Sequence, residues 1–455
     1  MASFGFCAYA QFPYTLQVFD QAVYYGMYEA TVDEPVPAGA IRLSNSSYSR
    51  MLTDEQLDAF GNTLTMTIRL NPLCDNYDRI GNANLVLVPK TMTEYTYNDP
   101  SIRRIEMGRF ITPFMHLQLD PDEVPYVYDV DHLTSIFHNE DLREVYNIWI
   151  ELEVYGYQGG PGQGGAAEEI AICEDRNDVY MGSLEFVSDY DEELNSDANY
   201  LRPLSYKYEL KDYTLEGTDE LNETVKTLTF THTSAIQDAK IYLITSNHGS
   251  NANGEEYVRR THYIYFDDEE VLNYKPGGES CIPFLEYNTQ INCIYYNCGQ
   301  TPLEPWPDDD AYWYWNNWCP GDKIPIRIIE LGDIEAGEHS FKIDVPDAVF
   351  AGNQGYFPMS VYIMGQSDTT DTEMLGKDEF LLTEFTITPN PVSNIATITT
   401  AGQEVTSVKV SNMLGQVVLT AAAAQIDMSG LQGGIYIVEV QFDNNRTAVK
   451  KIVKN

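Results

Sequence analysis

The strand-like run Leu64-Thr65-Met66-Thr67-Ile68 is followed by the charged loop Cys74-Asp75-Asn76-Tyr77-Asp78-Arg79 and by a second run, Ala83-Asn84-Leu85-Val86-Leu87-Val88. The first run alternates apolar and polar residues, which is typical of a half-buried β-strand. The loop carries two carboxylates and a guanidinium. Catalytic groups often lie on a loop that rigid strands hold in place, although Asp and Asn also favour ordinary surface turns. The stretch predicts strand, loop and strand.

The same pattern recurs along the chain. Short alternating runs are separated by Gly, Asn, Asp and Pro, and long helical periodicity is nearly absent, which indicates an all-β protein of sandwich type. The glycine-rich stretch 156–165 predicts a flexible joint, and the polar stretch 366–382 predicts a linker. We therefore expect three folded domains at 11–165, 166–365 and 383–455.

Composition limits the partners of the chain. Its 455 residues include 27 Lys and Arg against 69 Asp and Glu, giving a net charge of −42. Such a field repels nucleic acid and anionic membrane surfaces and favours solubility. The sequence has no run of about eighteen apolar residues, so we expect no membrane span. Its 33 tyrosines suit both strands and carbohydrate contacts.

The N-terminus and the cysteines indicate an exported protein. Ala8-Tyr9-Ala10 fits a signal-peptidase site, so residues 1–10 are interpreted as the remnant of a signal peptide that lacks its basic region. Cys7 would leave with it. An even number then remains, which permits disulfides in fifteen pairings: Cys74, Cys173, Cys281, Cys293, Cys298 and Cys319. Neither the cysteine spacing nor the scattered histidines predict a metal site, and we expect no cofactor.

The last seventy or so residues contain four signals in order. These are Pro389-Asn390-Pro391, Leu414-Gly415-Gln416, Gly433-Gly434-Ile435-Tyr436 and the basic run Lys450-Lys451-Ile452-Val453-Lys454. They resemble the C-terminal sorting domain of type IX secretion cargo in Bacteroidetes-like bacteria; a purely structural β-module is the alternative. The resemblance implies a small β-sandwich, the type IX machinery as partner, and a secreted or cell-surface location reached through the periplasm and outer membrane.

Four further segments carry candidate functional residues: 107–114, 147–154, 248–264 and 315–321. In the second, period two places Trp149, Glu151 and Glu153 on one face of a strand and the apolar residues on the other. That polar face is either a solvated surface or a platform for sugars. In the third, a Gly/Asn-rich loop brings two carboxylates to the start of a strand.

Together these segments resemble the peptide-N-glycosidase F family, from about Leu16 to about Gly365. The matching signals are Cys-Asp-x-Tyr-Asp-Arg at 74–79, Gly-Arg-Phe-Ile-Thr-Pro at 108–113, a strand glutamate, a glutamate before Arg260-Thr261-His262, and Trp318-Cys319-Pro320-Gly321. The resemblance implies two side-by-side antiparallel jelly rolls with the site in the cleft between them.

The family's site residues transfer by position. The principal catalytic aspartate matches Asp78, and the two glutamates match Glu151 and Glu256. We expect these three acids, which are far apart in sequence, to meet in the cleft. Arg79 matches an arginine beside the core sugars, Trp318 falls in an aromatic wall, and His248 lies near a site histidine. The candidate substrate-binding set is Arg79, Trp318, His248, Trp149, Tyr257 and Arg260.

The resemblance implies an amidase that hydrolyses the glycosylasparagine bond of N-glycoproteins without a metal or cofactor. Asp78 would be the general base, and Arg79 would stabilise the tetrahedral intermediate. Glu256 would protonate the leaving nitrogen directly or through water, and Glu151 would either position the sugar or water or share the acid role. The alternatives are a surface protein that binds glycans in the same cleft without hydrolysis and, third, a structural shell protein.

The chain also departs from the family. Arg69, Glu255 and Val258 stand where family cysteines would lie, Glu153 replaces a site tryptophan, and a family arginine is replaced around Trp315. Cys298 with Cys319 matches the remaining family disulfide, with Cys293 as a rival partner. The acidic insertion 307–310 is either a rim of the site or a solvated loop.

Overall fold

A computed structural model describes residues 12–159, 165–194, 198–249, 254–290, 296, 301–302, 316–367, 385–400, 405–412, 417–421, 424–442 and 447–454. The chain divides into two compact units, Met1–Leu375 and Gly376–Asn455. The expected signal remnant 1–10, the insertion 307–310 and most of the linker 366–382 lie outside the described residues. So do Cys293, Cys298, Trp315 and the turn 414–416.

The first unit consists mainly of β-strands. They are β1 Tyr14–Tyr25, β2 Ala40–Ser44, β3 Ser47–Met51, β4 Thr63–Pro72, β5 Ile80–Pro89, β6 Arg103–Ile111, β7 Val124–Asp129, β8 Tyr146–Val154, β9 Asp178–Asp189, β10 Tyr200–Leu210, β11 Val225–His232, β12 Ile236–Thr245, β13 His262–Phe266, β14 Glu269–Tyr274, β15 Lys323–Ile324, β16 Arg327–Ile334, β17 Gly337–Asp344 and β18 Phe357–Ser367. The α-helices are short: α1 Asp54–Asp58, α2 Thr134–Phe137, α3 Glu140–Val145 and α4 Ala166–Glu169. Single 3₁₀ turns occupy Asp131–Leu133, Ala171–Cys173 and Ile282–Tyr287.

The first sandwich packs a sheet of order β1-β9-β4-β7 against one of order β15-β6-β5-β8-β3-β2, with antiparallel neighbours throughout. Its core follows from the predicted alternation. Leu64, Met66 and Ile68 of β4 are fully buried together with Ile150 and Leu152 of β8 in one cluster. Burying each such side chain contributes about 1.5–3 kcal/mol, so the two apolar faces hold the sheets together.

The second sandwich pairs a sheet of order β10-β18-β12-β16 with one of order β11-β17-β13-β14, again antiparallel. Its core contains Ile241 and Leu243 of β12, Phe341 of β17, and Val361 and Ile363 of β18, all fully buried. The prediction of two antiparallel jelly rolls is confirmed.

The first sandwich extends past residue 165, where the sequence places a domain boundary. Strand β9 pairs with both β1 and β4, and β15 pairs with β6. The described part of the expected joint is packed, because a Cβ on Gly156 would meet Val179 at 2.5 Å and Gln158 is buried. Residues 160–164 of that joint lie outside the described residues.

The second unit is a small β-sandwich, as predicted. Its strands are β19 Phe385–Thr388, β20 Ile395–Thr400, β21 Val405–Asn412, β22 Val417–Ala421, β23 Gln425–Asp427, β24 Gly434–Phe442 and β25 Thr447–Lys454. They form sheets of order β19-β20-β23 and β22-β21-β24-β25 around a core that includes Val392, Val410, Val438 and Ile452. Throughout the described ranges, the helices are too short or too polar to span a bilayer.

Candidate active site

The charged loop between β4 and β5 is fixed by its own buried acid. Asp75 is fully buried, and its carboxylate accepts hydrogen bonds from the Tyr77 N–H at 2.9 Å, the Tyr157 N–H at 2.7 Å and Arg79 Nε at 3.0 Å. Thr112 adds a second anchor, because its hydroxyl accepts from the Arg79 N–H at 2.7 Å and donates to the Tyr77 carbonyl at 3.0 Å. The loop is therefore rigid around Asp78.

Two disulfides brace the site segments. Cys74–Cys173 ties the start of this loop to the 3₁₀ turn Ala171–Cys173, and Cys281 bonds Cys319 in the Trp-Cys-Pro-Gly segment. The pairing of Cys319 with Cys298 is therefore wrong. The spacing of cysteines does not encode pairing; the 3₁₀ turn that Cys281 precedes brings its sulfur to Cys319.

The acidic loop of the second sandwich is held by neighbouring backbone and amide groups. Glu256 Oε2 accepts the Gly249 N–H at 3.0 Å. The Asn317 side chain donates to the carbonyls of Glu255 at 2.9 Å and Glu256 at 2.6 Å. Asn317, which directly precedes the Trp-Cys-Pro-Gly segment, thus positions the loop that carries Glu256.

A cavity of about 1140 Å³ lies between the two sandwiches and receives both loops. Its lining from the chain before residue 180 includes Tyr28, Asp78, Arg79, Tyr97, Arg109, Tyr155 and Glu169. Its lining from the chain after residue 180 includes Tyr206, Lys207, Glu209, His248, Glu256, Tyr257, Trp318 and Tyr356. Of the nine candidate residues, six line this cavity: Asp78, Arg79, His248, Glu256, Tyr257 and Trp318.

Burial raises the pKa of both cavity acids, and the charge of Glu256 adds to the effect at Asp78. Burial, followed by the negative charge of Glu256, raises the pKa of Asp78 to about 7, against the opposing effect of Arg79. Burial also raises the pKa of Glu256, although its hydrogen bond from Gly249 works against this. A carboxyl with a pKa near neutrality can exchange protons with a substrate under ordinary conditions.

The histidine and the tryptophan form one wall of the cavity. His248 Nε2 shares a hydrogen bond with Ser246 Oγ at 2.7 Å, and Trp318 Nε1 donates to the Asn247 carbonyl at 3.0 Å. The two rings stack with centroids 6.0 Å apart. Burial, with a smaller effect of Arg109, lowers the pKa of His248 to about 3, so its imidazole is neutral.

Glu151 lies behind the cavity, whereas we expected it to meet the other two acids. It is fully buried and accepts two hydrogen bonds from Arg104 Nε, at 3.0 and 3.1 Å, and one from Tyr95 OH at 3.2 Å. Burial raises the pKa of Glu151 to about 7 against the effect of Arg104. Its link to the cavity runs through Asn84, which donates to Glu151 at 2.9 Å and to the cavity residue Tyr206 at 3.0 Å.

Trp149 and Arg260 also lie away from the cavity wall. Trp149 is buried in a small apolar cluster with Val86, Val88, Tyr95 and Ile102, so its face of β8 is neither solvated nor a platform for sugars. The segment between β5 and β6 covers that face, which alternation alone could not predict. Arg260 pairs with the buried Glu255 at 2.8 Å.

A lysine and three tyrosines form a part of the site that the sequence did not reveal. Lys207 Nζ lies 3.0 and 2.9 Å from the two carboxylate oxygens of Glu153. The hydroxyls of Tyr97, Tyr155 and Tyr206 also donate to Glu153, at 3.1, 2.7 and 2.5 Å. Lys207 adopts φ of +44° at an irregularity in β10, which directs two consecutive residues to the cavity.

Arg109 connects the two sandwiches at the cavity. It is fully buried and binds both carboxylate oxygens of Glu106 at 2.7 Å. It also donates to Ser246 Oγ at 2.9 Å and to the Pro358 carbonyl at 2.7 Å, both in the second sandwich. The predicted Gly-Arg-Phe-Ile-Thr-Pro signal thus contains a structural bridge as well as a cavity residue.

Within the described residues, His, Cys, Asp and Glu side chains nowhere gather in groups of three or more that could hold a metal ion.

The fold and cavity define a protein of two jelly rolls with a carboxylate-lined cleft and a separate small β-sandwich. Three family models match it: Peptide-N-glycosidase F, N terminal, over residues 15–157, Peptide-N-glycosidase F, C terminal, over residues 218–364, and Secretion system C-terminal sorting domain over residues 386–455. The chain belongs to the peptide-N-glycosidase F family of glycanases and carries a type IX sorting domain. It is therefore a secreted or cell-surface protein of the type found in Bacteroidetes.

Solved structures match most of the chain. Two structures of PNGF-II, in C2 and P21 space groups, match at 17% and 18% identity with TM-scores of 0.54 and 0.55. Each match covers 78% of this chain and 65% or 66% of the other, so the chain spans about two thirds of their length. The recombinant peptide N-glycanase F (PNGase F) matches at 15% identity over 78% of this chain and 96% of that one, with a TM-score of 0.44. No curated protein matches the chain.

Proposed function

We propose that the protein is a secreted amidase that hydrolyses the bond between the asparagine side chain and the first sugar of N-linked glycoproteins or glycopeptides. The products are an aspartate in the peptide and a glycan that leaves as a glycosylamine. The observation that carries the proposal is that Asp78 and Glu256, which come from different sandwiches, line one cavity and interact electrostatically. Membership of a glycanase family supports the substrate class.

In the proposed mechanism, Asp78 acts as general base. Its ionised carboxylate takes a proton from a water molecule, whose oxygen attacks the amide carbon and forms the tetrahedral intermediate. A base with a pKa near 7 suits neutral conditions, because it is substantially ionised and still accepts a proton readily. Arg79, fixed in the cavity wall by its ion pair with Asp75, offers guanidinium N–H groups as hydrogen-bond donors to the developing oxyanion.

Collapse of the intermediate breaks the carbon–nitrogen bond, and the departing nitrogen takes a proton. We assign that donation to Glu256, because its raised pKa keeps it protonated to higher pH than an exposed glutamate. Glu151 fits a positioning role, since it holds Asn84 and through it Tyr206. His248 and Trp318 would contact the sugar or peptide as part of the cavity wall.

The experiment compares glycan release from an N-glycopeptide by the wild type, Asp78→Asn and Asp268→Asn. Asp268 is an exposed hairpin residue with φ of +67°, a conformation that asparagine tolerates, so it is a matched control. We expect Asp78→Asn to lower kcat by about 10²–10⁴, the usual contribution of a general base, and Asp268→Asn to match the wild type. Absence of release from all three, with glycan still bound, would favour the alternative of a non-catalytic glycan-binding protein.

A further inference from the structure

The cations that line the cavity are each matched by a carboxylate. Lys207 contacts both oxygens of Glu153, which is almost completely buried behind it. The same arrangement occurs at the pair Arg79 and Asp75, where the acid is again fully buried. An ion pair of this kind presents hydrogen-bonding groups to a ligand but little net charge.

Arg109 is the third cation of the cavity lining. Its guanidinium binds Glu106 through two parallel hydrogen bonds of 2.7 Å, and neither side chain is exposed to solvent. Lysine and arginine are the residues that recognise carboxylate, sulfate and phosphate groups on a ligand. In this cavity, the described cations already have such a partner from the protein itself.

The carboxylates that line the cavity, unlike its cations, have mainly neutral hydrogen-bond partners. Glu169 is hydrogen-bonded by neutral amides, Asn76 at 2.7 Å and Gln290 at 3.4 Å. Glu256 accepts a backbone N–H, and Asp78 lies beside Arg79, whose ion pair is with Asp75. Because Arg79, Arg109 and Lys207 are each paired with an acid, Glu169 leaves the cavity with an excess of negative charge even when Asp78 or Glu256 is protonated, within a chain whose net charge is −42.

Aromatic rings provide the surface of the cavity on which sugars can pack. Tyr97, Tyr155 and Tyr206 donate their hydroxyls to Glu153, so their rings are held in fixed positions along the cavity. Rings of this kind pack against the apolar faces of sugars without requiring a charge. Asn82 of β5 contacts both Glu153 and Lys207. Asn82 lies two residues, or about 7 Å, along the strand from Ile80, which directly follows the charged loop, so the tyrosines around Glu153 lie close to that loop.

We propose that the cavity selects uncharged glycans and disfavours glycans that bear carboxylate, sulfate or phosphate groups. The inference rests on the proposed amidase function, because it assigns the substrate class of the same site. Unlike charges attract and like charges repel through a low-dielectric cleft more strongly than in water, so acidic sugars bind more weakly than their neutral counterparts.

The test uses two glycopeptides with the same peptide, one with a neutral glycan and one with the same glycan capped by carboxylate-bearing sugars. We expect kcat/KM to be several-fold higher for the neutral substrate at about 0.01 M salt. The ratio should fall towards one near 1 M salt, as the screening length shortens from about 30 Å to about 3 Å. Equal values at low salt would overturn the inference while leaving the amidase proposal intact; no release from either substrate would instead overturn the amidase proposal.

A variant tests the structural cause. Glu153→Gln leaves the charge of Lys207 uncompensated in the cavity, so the preference for the neutral substrate should shrink. Glu338→Gln removes the same charge from an exposed position of β17 and should keep the wild-type preference. If Glu153→Gln does not fold, Glu169→Gln removes a carboxylate from the cavity lining and should shrink the preference too. An unchanged ratio in the folded cavity variant would contradict the proposal.

Discussion

Replacing Arg109 by methionine is the change that most directly tests the bridge between the two sandwiches. Arg109 and Glu106 are both fully shielded from solvent, and their two hydrogen bonds of 2.7 Å join groups of opposite charge. The methionine side chain fills most of the same volume but cannot pair with the acid. Glu106 would then keep its hydrogen bond from Ser360 and lose its counter-charge.

The expected loss follows from this geometry. Removing one partner of a buried ion pair costs about 3–5 kcal/mol, because the remaining charge is left uncompensated. The variant also leaves the Pro358 carbonyl and the Ser246 hydroxyl without the guanidinium. In the double variant Arg109→Met with Glu106→Gln, the uncompensated charge is gone, and we expect a loss of only about 1–2 kcal/mol from these unpaired groups.

Urea unfolding followed by tryptophan fluorescence and circular dichroism measures both losses. The sorting unit is a separate compact unit, so its transition should keep its midpoint and serve as an internal reference. Lys240→Met is the matched control, because Lys240 pairs at the surface with the exposed acids Asp238 and Glu330. The Lys240→Met variant should lose less than about 1 kcal/mol of unfolding free energy.

Two results would refute the reasoning about Arg109. The first is a loss of less than about 1 kcal/mol of unfolding free energy in the single variant, because breaking a buried ion pair should destabilise the protein by more than that. The second is a double variant that is no more stable than the single one, because relief of the charge on Glu106 is what distinguishes them.

Three further predictions concern the charged loop between β4 and β5 and the residues that support it. The rate of glycan release should rise with pH as Asp78 ionises, with the midpoint of the rise near pH 7. Glu256→Gln should lower the rate, because it removes the proposed proton donor, and should move the midpoint of the remaining activity to lower pH, because the charge of Glu256 raises the pKa of Asp78; a rise centred near pH 4 in the wild type would contradict this. Replacing both Cys74 and Cys173 by serine should lower the free energy of unfolding by about 2–4 kcal/mol and reduce kcat, measured by calorimetry and glycan release; an unaltered melting temperature would count against it. Gly81→Ala should cost about 1–3 kcal/mol in urea unfolding, because its Cβ would lie 2.1 Å from a buried aromatic ring of β6; a neutral effect would show that this ring can move.

The local alternation of apolar and polar residues was sufficient to predict the strands and which face of each strand is buried. Alternation in β4 and β8 predicted an apolar face for each strand, and the structure buries Leu64, Met66, Ile150 and Leu152 of those faces in one cluster. This works because successive residues of a strand point to opposite faces whatever the rest of the fold. The order of motifs likewise predicted the two jelly rolls and the sorting domain.

The surroundings of the opposite face could not be predicted in this way. Glu151 and Trp149 lie on the expected side of β8, but the segment between β5 and β6 covers that side and supplies Tyr95. The contact spans more than fifty residues of sequence, and nothing in the strand itself specifies it. For this reason, the expected meeting of Glu151 with the other acids does not occur in the cavity.

Lys207 and the second disulfide illustrate the same limit. The irregularity in β10 that turns Lys207 towards Glu153 depends on pairing with β18, and the local sequence carries no glycine at that position. Cys319 had several possible partners, and only the three-dimensional path of the chain selects Cys281.

The central claim is that water activated by Asp78 attacks the amide carbon of the glycosylated asparagine. The most direct measurement is mass spectrometry of the peptide and glycan after cleavage in water enriched in heavy oxygen. The account predicts one heavy oxygen in the side chain of the new aspartate, with a rate that collapses in Asp78→Asn. A peptide that retains its asparagine with a sugar attached, or the same labelling rate in Asp78→Asn, would contradict it.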